Sequence, residues 1–418
     1  MRGGCHQNAA CGECRRGAEQ FVRLRRPERV FDPRAARMKA ALTGRAWRTP
    51  LGSSIDEVIE RLLAGERAAR PNARFDARSY ACTLAATIAA PPAPSRQARF
   101  LRRMGLYAVE VAAEAMRDAG VSGGERVGLF FGYGGLRAHW DDLMPAFEHQ
   151  QADGAAAWER GLALLHPFWI LQHLSNNAHA IAAQELGARG EGATYGGANA
   201  GAQALAGAIR ALAAGAVDVA LVVGYDSLVE PETLVELAAR GSSVSTVLAA
   251  PYDIAAQGFV PGEAAAALVL QQAGPARACI EALDGADGEK GEPQAALLAR
   301  LVRRLARHGD AVDGCGLALP GFDAAERELV AAITGAGAPL CCIMSAMGQI
   351  GAATSVVQAI ALAELLQRQR MPPVALLRAA APGPLRPLLR AESSNHRSAI
   401  GLSASAPGLA GIVRVELP

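Results

Sequence analysis

A strand, a glycine turn, a helix and a second strand follow one another in residues 193–228, ATYGGANAGAQALAGAIRALAAGAVDVALVVGYDSL. Small residues around Ala198 predict a tight turn, and the apolar run that follows predicts a helix ending at Gly215. Enzymes expose nucleophiles at such turns, because backbone N–H groups and the helix dipole favour an anion there. Here the turn carries Ala198, whose methyl group has no chemistry.

The overall composition excludes several classes of partner. Lys and Arg number 42 against 40 Asp and Glu, and a net charge of +2 gives no electrostatic reason to expect nucleic acid. Hydrophobic residues make up 51% and aromatics 5%, which is typical of layered α/β proteins with cores of Ala, Val, Leu and Ile. No apolar run approaches the ~20 residues needed to span a bilayer, and no secretory leader is evident. We therefore predict a cytoplasmic protein without a membrane span.

The first 37 residues differ from the rest. They are rich in Arg, lack apolar periodicity and contain the motif CGEC within the cluster Cys5, His6, Cys11 and Cys14. A zinc site would need a second ligand pair at suitable spacing, which is missing, so we predict no metal and no cofactor. Residues 1–37 are interpreted as a disordered extension or as the result of an upstream start codon, with the ordered chain beginning at Met38.

The first part of the ordered chain predicts alternating strands and helices. A strand at Ala40–Leu42 precedes a helix that begins after Ser53 or Ser54 and ends near Leu63. A long helix ends at Gly120, and RVGLFFGYGG after it is a buried strand. Residues 136–174 are irregular and are predicted to line a pocket or an interface. We interpret three histidines of this middle region, His166, His173 and His179, as pocket, interface or core residues rather than metal ligands.

The pattern of the opening stretch partly recurs in the second part of the chain. A strand is predicted at VDGCGLAL, residues 312–319, followed by a helix through AAERELVAAI. The segment MSAMGQIGAATSVVQAIALAELL is again a glycine-rich turn that opens an apolar helix. We predict an α/β protein of two similar halves, residues 38–250 and 251–418, in a layered αβαβα arrangement.

From Met38 to Pro418 these segments resemble, in order, the β-ketoacyl synthase family of the thiolase fold. ALTGRAWRTPLG is similar to the family's first strand and turn, YDIAAQGFVPGEAAAALVL to its "fDxxRdGFvxGEGaa" signature, and LLQRQRMPP to the stretch after its last conserved helix. The resemblance implies a thiolase-like fold. It also implies a relation to enzymes that join an acyl group to a malonyl unit on acyl carrier protein.

The resemblance further implies that the reacting groups are replaced. The nucleophile Cys of "ACASGAQA" falls on Ala198, the His of "HGTSTPxxD" on Cys315, and the Lys and His of "KSxxGHxxGAAG" on Met344 and Gln349. The family's glutamate is kept as Glu326. Within ASAPGLA, which is similar to the "FGFGGTN" loop, Ala406 stands for a gating Phe and Pro407 removes a backbone N–H. Asn199, beside the nucleophile position, is assigned with these two residues to the acyl pocket or its gate.

Condensation needs a thiolate, and it needs imidazoles that stabilise the enolate and the thioester oxyanion. Their joint replacement predicts a homologue without the Cys-His-His triad that is inactive alone. Cys315 is an alternative nucleophile, but no basic residue adjoins it in sequence, and a buried structural thiol is the favoured interpretation.

The family contains non-condensing chain-length factors, as in aryl-polyene and type II polyketide systems, and this sequence resembles them. Such a subunit pairs with an active ketosynthase, uses acyl carrier protein and shapes the acyl tunnel. Family enzymes are dimers, and the resemblance assigns the two-fold pairing to the strand VDVALVVGY. One alternative is an acyltransferase or malonyl decarboxylase that uses Cys315. The other is a homodimeric scaffold that binds carrier protein.

Overall fold

The computed structural model describes residues 39–135, 140–153, 162–239, 250–272, 274–286, 294–405 and 408–418. The predicted extension 1–37, with its Cys5–Cys14 cluster, lies outside these residues, as do Ala406 and Pro407. None of the helices that the structure describes combines the length and apolar character required of a membrane span.

The described strands range from two to nine residues in length, and those of seven or more residues are mostly buried. In chain order they are β1 (Ala40–Arg48), β2 (Arg70–Pro71), β3 (Leu84–Ala85), β4 (Val127–Tyr133), β5 (Ala193–Gly196), β6 (Val219–Ser227), β7 (Glu263–Gln271), β8 (Ala278–Ala286), β9 (Ala311–Asp313), β10 (Pro339–Cys341), β11 (Arg370–Met371), β12 (Arg386–Pro387), β13 (Glu392–Ser393), β14 (Ser398–Ser405) and β15 (Leu409–Glu416).

The described helices are named in the same way. They are α1 (Ile55–Leu63), α2 (Arg103–Asp118), α3 (Trp140–Asp153), α4 (Trp169–His173), α5 (Asn177–Leu186), α6 (Ala200–Ala213), α7 (Pro231–Ala239), α8 (Gln294–Leu305), α9 (Pro320–Thr334), α10 (Ile343–Met347) and α11 (Thr354–Gln367). Short 3-10 turns occur at Arg96–Arg99, Leu162–Leu164 and Gly351–Ala353.

One large sheet runs through the described chain in the order β12-β10-β9-β14-β15-β8-β1-β7-β6-β4-β5. At one end β5, β4 and β6 are parallel, and β7 and β1 add to them antiparallel. At the other end β12, β10, β9 and β14 are parallel, and β15 and β8 add to them antiparallel. The two parts meet where residues 40–42 of β1 pair with β8.

Helices α6 and α11 pack against each other and against strands of both parts of the sheet. Helix α11 is buried on every side from Thr354 to Leu366, which explains why its sequence is apolar all round. Helices α2 and α5 cover one outer face, and α8 and α9 cover the other. The predicted α/β class with a layered arrangement of helices and sheet is therefore confirmed.

The division into halves at residue 250 stays a prediction. Strand β7 follows that position in the chain, yet it hydrogen-bonds to β1 and β6, which precede it. A boundary drawn from the sheet pairing would therefore fall after Gln271 rather than at residue 250.

The assignment of the dimer-forming strand to VDVALVVGY is wrong. Strand β6 is paired along its length with β4 on one side and β7 on the other, so both of its edges are already occupied. Among the described strands, β5 closes this end of the sheet and pairs with β4.

Local predictions mostly agree with the structure. Helix α1 begins after Ser54, whose side chain accepts from the Glu57 N–H, and α2 ends before Gly120, which has a φ of +65°. The strand predicted at residues 312–319 is shorter, because β9 ends at Asp313 and the chain then turns. Its apolar residues are buried in a loop, which periodicity cannot distinguish from a buried strand.

Candidate functional site

Ala198 lies in the turn between β5 and α6, as the sequence predicts. The Ala200 N–H donates to the Gly197 carbonyl at 3.0 Å, which closes the turn just before the helix. Gly201, in the first helical turn, lies so close to Ala352 that a Cβ atom would come within 2.2 Å of the Ala352 carbonyl oxygen. The turn that would carry a nucleophile is therefore present, and it touches the loop that follows Gln349.

Gln349 and Cys315 come together at a second loop. The buried Gln349 amide donates from Nε2 to the Cys315 carbonyl at 2.7 Å and to the Gly316 carbonyl at 2.9 Å. Its backbone is also fixed, since its N–H donates to Val260 and its carbonyl accepts from Gly262. Both amide hydrogens are used within the fold, so this side chain acts as a brace between two loops.

Met344 packs at the same loop. Gly316 has a φ of +69°, and a Cβ atom there would lie 2.9 Å from Met344 Cβ and 2.7 Å from Cys342 Sγ. Met344 is 2% exposed and belongs to the main hydrophobic core. An apolar thioether therefore occupies the position at which the resemblance implies a lysine.

Glu326 projects from α9 beneath the Cys315 loop. Its carboxylate accepts from the Cys315 N–H at 2.8 Å and from the Tyr252 hydroxyl at 2.7 Å. Burial raises the pKa of Glu326, although both hydrogen bonds act against the shift. Glu326 holds the loop in place and is sealed from solvent.

The Cys315 thiol is not prepared for nucleophilic attack. It is 1% exposed, and burial together with the charge of Glu326 raises its pKa well above the usual value. Reactive cysteines lie instead in electropositive, partly exposed surroundings that lower the thiol pKa. This arrangement fits the interpretation of Cys315 as a structural thiol.

Two neighbouring cysteines behave in the same way. Cys341 and Cys342 are buried, and burial is the largest cause that raises the pKa of each thiol. No disulfide joins any cysteines within the described ranges.

Asn199 is held by hydrogen bonds within the fold. Its amide donates to the carbonyls of Gly285 and Ala410 at 3.3 and 3.4 Å, and its oxygen accepts from Gln203 at 3.2 Å. These contacts tie the start of α6 to β8 and β15. Its assignment to the acyl pocket stays a prediction, as do those of Ala406 and Pro407.

A small cavity lies beside Met344 among the described residues. The cavity that reaches Gly316, Met344 and Gly348 has a volume of about 20 Å³. Ligand pockets are commonly about 300–1,000 Å³. Room for roughly one water molecule does not accommodate an acyl thioester in this cavity beside Met344.

Three residues of this site were missed by the sequence analysis: Tyr252, Asp313 and Asp323. Tyr252 has a φ of +64°, and its backbone N–H donates to Asp323 at 2.9 Å. Asp313 accepts from the Ile343 N–H at 2.7 Å and from Gln358 at 2.9 Å. Tyr252 and Asp323 both lie in segments similar to family motifs, but only the fold shows that Tyr252 bonds to both Asp323 and Glu326.

No arrangement of three or more His, Cys, Asp or Glu side chains suited to a metal ion occurs within the described residues. The middle histidines make local contacts instead. His179 stacks on Phe131 and bonds to the Thr194 hydroxyl at 2.8 Å, and burial lowers its pKa. His166 accepts from the Phe168 N–H at 3.2 Å.

Comparison with protein families and curated proteins gives a consistent result. A family model described as "Beta-ketoacyl synthase, N-terminal domain" matches residues 38–276. The chain is 25% identical over 250 residues to 3-oxoacyl-[acyl-carrier-protein] synthase 2 of Synechocystis sp., covering 56% of this chain and 58% of the relative. It is 26% identical over 267 residues to the chloroplastic synthase I of Hordeum vulgare, covering 59% and 54%. The matches thus span little more than half the length of these relatives.

Solved structures share the fold. A beta-ketoacyl synthase from Burkholderia phymatum STM815 superimposes with a TM-score of 0.79 at 22% identity, covering 91% of this chain and 100% of that one. The ishigamide ketosynthase/chain length factor superimposes with a TM-score of 0.75 at 21% identity, covering 92% and 100%. At these identities the likeness concerns the fold.

Proposed function

Since the chain belongs to the β-ketoacyl synthase family, we propose that it is a non-condensing subunit, a chain-length factor. In this role it pairs with an active ketosynthase and shapes the tunnel in which an acyl chain grows on acyl carrier protein. We propose that it acts in fatty acid or polyketide chain elongation, in the cytoplasm.

The brace formed by Gln349 carries the proposal. A catalytic imidazole must present a nitrogen to the substrate, whereas both amide hydrogens of Gln349 are spent on the carbonyls of Cys315 and Gly316. The nucleophile position holds Ala198, and the remaining thiol, Cys315, is buried with a raised pKa. We infer that side chains with structural roles stand in this site at the positions of the family's reacting groups.

An acyltransferase or decarboxylase that uses Cys315 is less well supported. Such a step needs a thiolate that a carrier-bound substrate can reach, and a thiol with 1% exposure and a raised pKa provides neither.

Two surface features favour a protein partner. Strand β5 ends the sheet among the described strands and offers an edge for pairing. Large apolar side chains are also exposed in the 140–174 region, which is unusual for the surface of an isolated protein. They are Trp140, Met144, Phe147, Leu164, Phe168, Ile170, Leu171 and Leu174. The ishigamide ketosynthase/chain length factor, which shares the fold, is named as such a pair.

The test is co-expression with an active ketosynthase that keeps its Cys and both His residues. We expect the two chains to co-purify at a stoichiometry of about one to one. We also expect ketoacyl product to form from acyl- and malonyl-carrier protein only when both chains are present. The molecular mass in solution of this chain by itself distinguishes a subunit that pairs with a ketosynthase from a homodimeric scaffold. Condensation by the purified chain alone would refute the proposal.

A further inference from the structure

A second, larger cavity lies at the carboxyl ends of the parallel strands β4 and β6. Its volume is about 310 Å³, within the range of small-molecule sites. Its walls include Tyr133 at the end of β4, Tyr225 at the end of β6 and the first turn of α2. Crevices at the carboxyl ends of parallel strands are the usual ligand sites of α/β sheets.

One wall of this cavity is a fixed network of charges around Glu263. This carboxylate is fully buried and accepts from Arg74 Nη2 at 2.7 Å, from Arg103 Nη1 at 2.8 Å and from the Ser227 hydroxyl at 3.1 Å. Arg103 also reaches Glu230 at 3.1 Å. Because the carboxylate is buried and multiply bonded, both arginine side chains are held with their guanidinium groups at the wall.

A second ion pair is formed by Arg102, which also lines the cavity. Arg102 is bonded to Asp142, which also accepts from Trp169 Nε1 at 3.0 Å. His173, on the same helix as Trp169, lies with its Nε2 3.5 Å from Asp142. Three arginine side chains line the cavity and remain partly exposed: Arg74 (30%), Arg102 (33%) and Arg103 (24%). Each can therefore contact a ligand bound in the cavity.

We propose that this cavity binds a stretch of acyl chain that carries carbonyl or hydroxyl oxygens, rather than a saturated or polyene hydrocarbon chain. The proposal rests on the chain-length-factor role and specifies the class of acyl chain that this cavity accepts. Guanidinium groups and the two tyrosines offer donors to chain oxygens, and Glu230 offers an acceptor to a chain hydroxyl.

The physical reason is the free-energy cost of removing water from the charged side chains that line the cavity. A hydrocarbon chain would displace water from arginine and carboxylate groups and return no hydrogen bonds, which is unfavourable. An oxygenated chain replaces the lost water contacts with bonds to charged groups, which are the stronger kind. The lining also contains apolar side chains that can pack against the carbon atoms of the chain: Leu101, Met104, Leu174 and Ala178.

The test uses the full chain and two probes of equal carbon number. One is an octanoyl-pantetheine analogue in which an amide replaces the thioester, and the other is its 3,5-dihydroxyoctanoyl counterpart. Titration calorimetry should give a dissociation constant about tenfold lower for the dihydroxy probe, because one additional bond to a charged group is worth at least that factor.

Two variants locate the effect. Arg102→Met should bring the two affinities within about threefold of each other, and Tyr133→Phe, which removes only a hydroxyl, should reduce the preference by a few fold. Arg126→Met and Tyr80→Phe are the matched controls. Arg126 forms a comparable pair with Asp218 beside the opposite end of β4, and neither control residue lines the cavity. Melting temperatures verify folding, and Tyr133→Phe serves alone if Arg102→Met is unfolded.

Equal affinities, tighter binding of the octanoyl probe, failure of both probes to bind, or an unchanged preference in the folded variants would each overturn the proposal. These outcomes are distinct from failure of the proposed function. A chain that prefers the dihydroxy probe but joins no ketosynthase retains this binding site and loses the chain-length-factor role. A chain that joins a ketosynthase without the preference retains the role and loses the assigned substrate class.

Discussion

Gln349 shows how the type of side chain determines what a loop can do. An imidazole at this position could accept or release a proton near neutral pH, whereas an amide cannot titrate and can only form hydrogen bonds. Its two donors satisfy the carbonyls of Cys315 and Gly316, which lie in a buried turn. Gln349 therefore has a structural role in this loop.

Replacing Ala198 by Cys tests the proposal that the residues at positions 315, 344 and 349 also prevent condensation. In Ala198→Cys a thiol stands at the N-terminus of α6, where the helix dipole lowers thiol pKa values, so we expect an acyl adduct on incubation with acyl-carrier protein. Condensation should remain absent, since loss of one oxyanion donor costs about 10²–10³ in rate and several groups are missing. Intact mass reports acylation, and ketoacyl formation reports condensation.

Ala198→Ser is the matched control, because it fills the same position without a thiolate. Turnover of Ala198→Cys near that of an ordinary ketosynthase would show that Cys315 and Gln349 do not stand at the family's histidine positions.

Asp313 and Asp323 predict an unusual dependence of stability on pH. Burial raises the pKa of each carboxyl to about 7, above the unfolded value of about 3.9. The folded state therefore keeps protons that the unfolded chain has lost. Their contribution to the free energy of unfolding decreases as pH rises from about 4 to 7 and is constant above that.

The Asp313→Asn variant lacks one of these two titratable carboxyl groups. Between pH 4 and pH 7 the free energy of unfolding should decrease more in the wild type than in the variant, by on the order of 1 kcal/mol or more. Urea unfolding at four pH values between 4 and 8 measures the difference. Asp218→Asn, at an exposed ion pair, is the control. Parallel pH profiles for wild type and Asp313→Asn would contradict the prediction.

At the scale of elements, the contact between α6 and α11 depends on small residues. Gly201 lets α6 approach the 3-10 turn that precedes α11, and Gly224 allows the same turn to lie on β6. A Cβ atom at Gly201 would meet a backbone oxygen, which cannot rotate away as a flexible side chain can. Propensity would favour alanine here, so packing has overridden it.

Gly201→Ala should therefore destabilise the protein by about 1–3 kcal/mol through overpacking. Gly321→Ala is a close control, because Gly321 is likewise the second residue of a helix and a Cβ atom there would meet no other atom within 4 Å. That control should be neutral or more stable by up to about 1 kcal/mol. Thermal melts of both variants check the pair, and equal melting temperatures would argue against close packing at α6.

At the scale of the whole molecule, the sheet joins the beginning of the described chain to its end. Lys39 forms an ion pair with Glu416, and β1 lies beside β7 and β8. Deleting residues 1–37 leaves these pairings unchanged, and the deleted segment has no apolar periodicity with which to build a core. We expect the same melting temperature within about 1 °C and the same association with a ketosynthase. A clear drop in either measurement would show that the extension is part of the folded unit.

Much of the fold could be predicted because its signals are local. The N-cap at Ser54, the stop at Gly120 and the glycine turn before α6 each follow from short-range backbone chemistry. The loop after Asp313 and the edge position of β5 could not, because burial and strand order depend on residues far away in the chain.

The sequence by itself determined the α/β class, the turn that carries Ala198 and the absence of titratable side chains at positions 198, 344 and 349, since these follow from residue type and local pattern. Only the tertiary structure decided what these side chains contact. The Gln349 brace, the Glu326–Tyr252 bond and the charged wall around Glu263 join residues 34, 74 and 160 positions apart. Hydrogen bonds over such separations are set by how the layers pack, which no local pattern records.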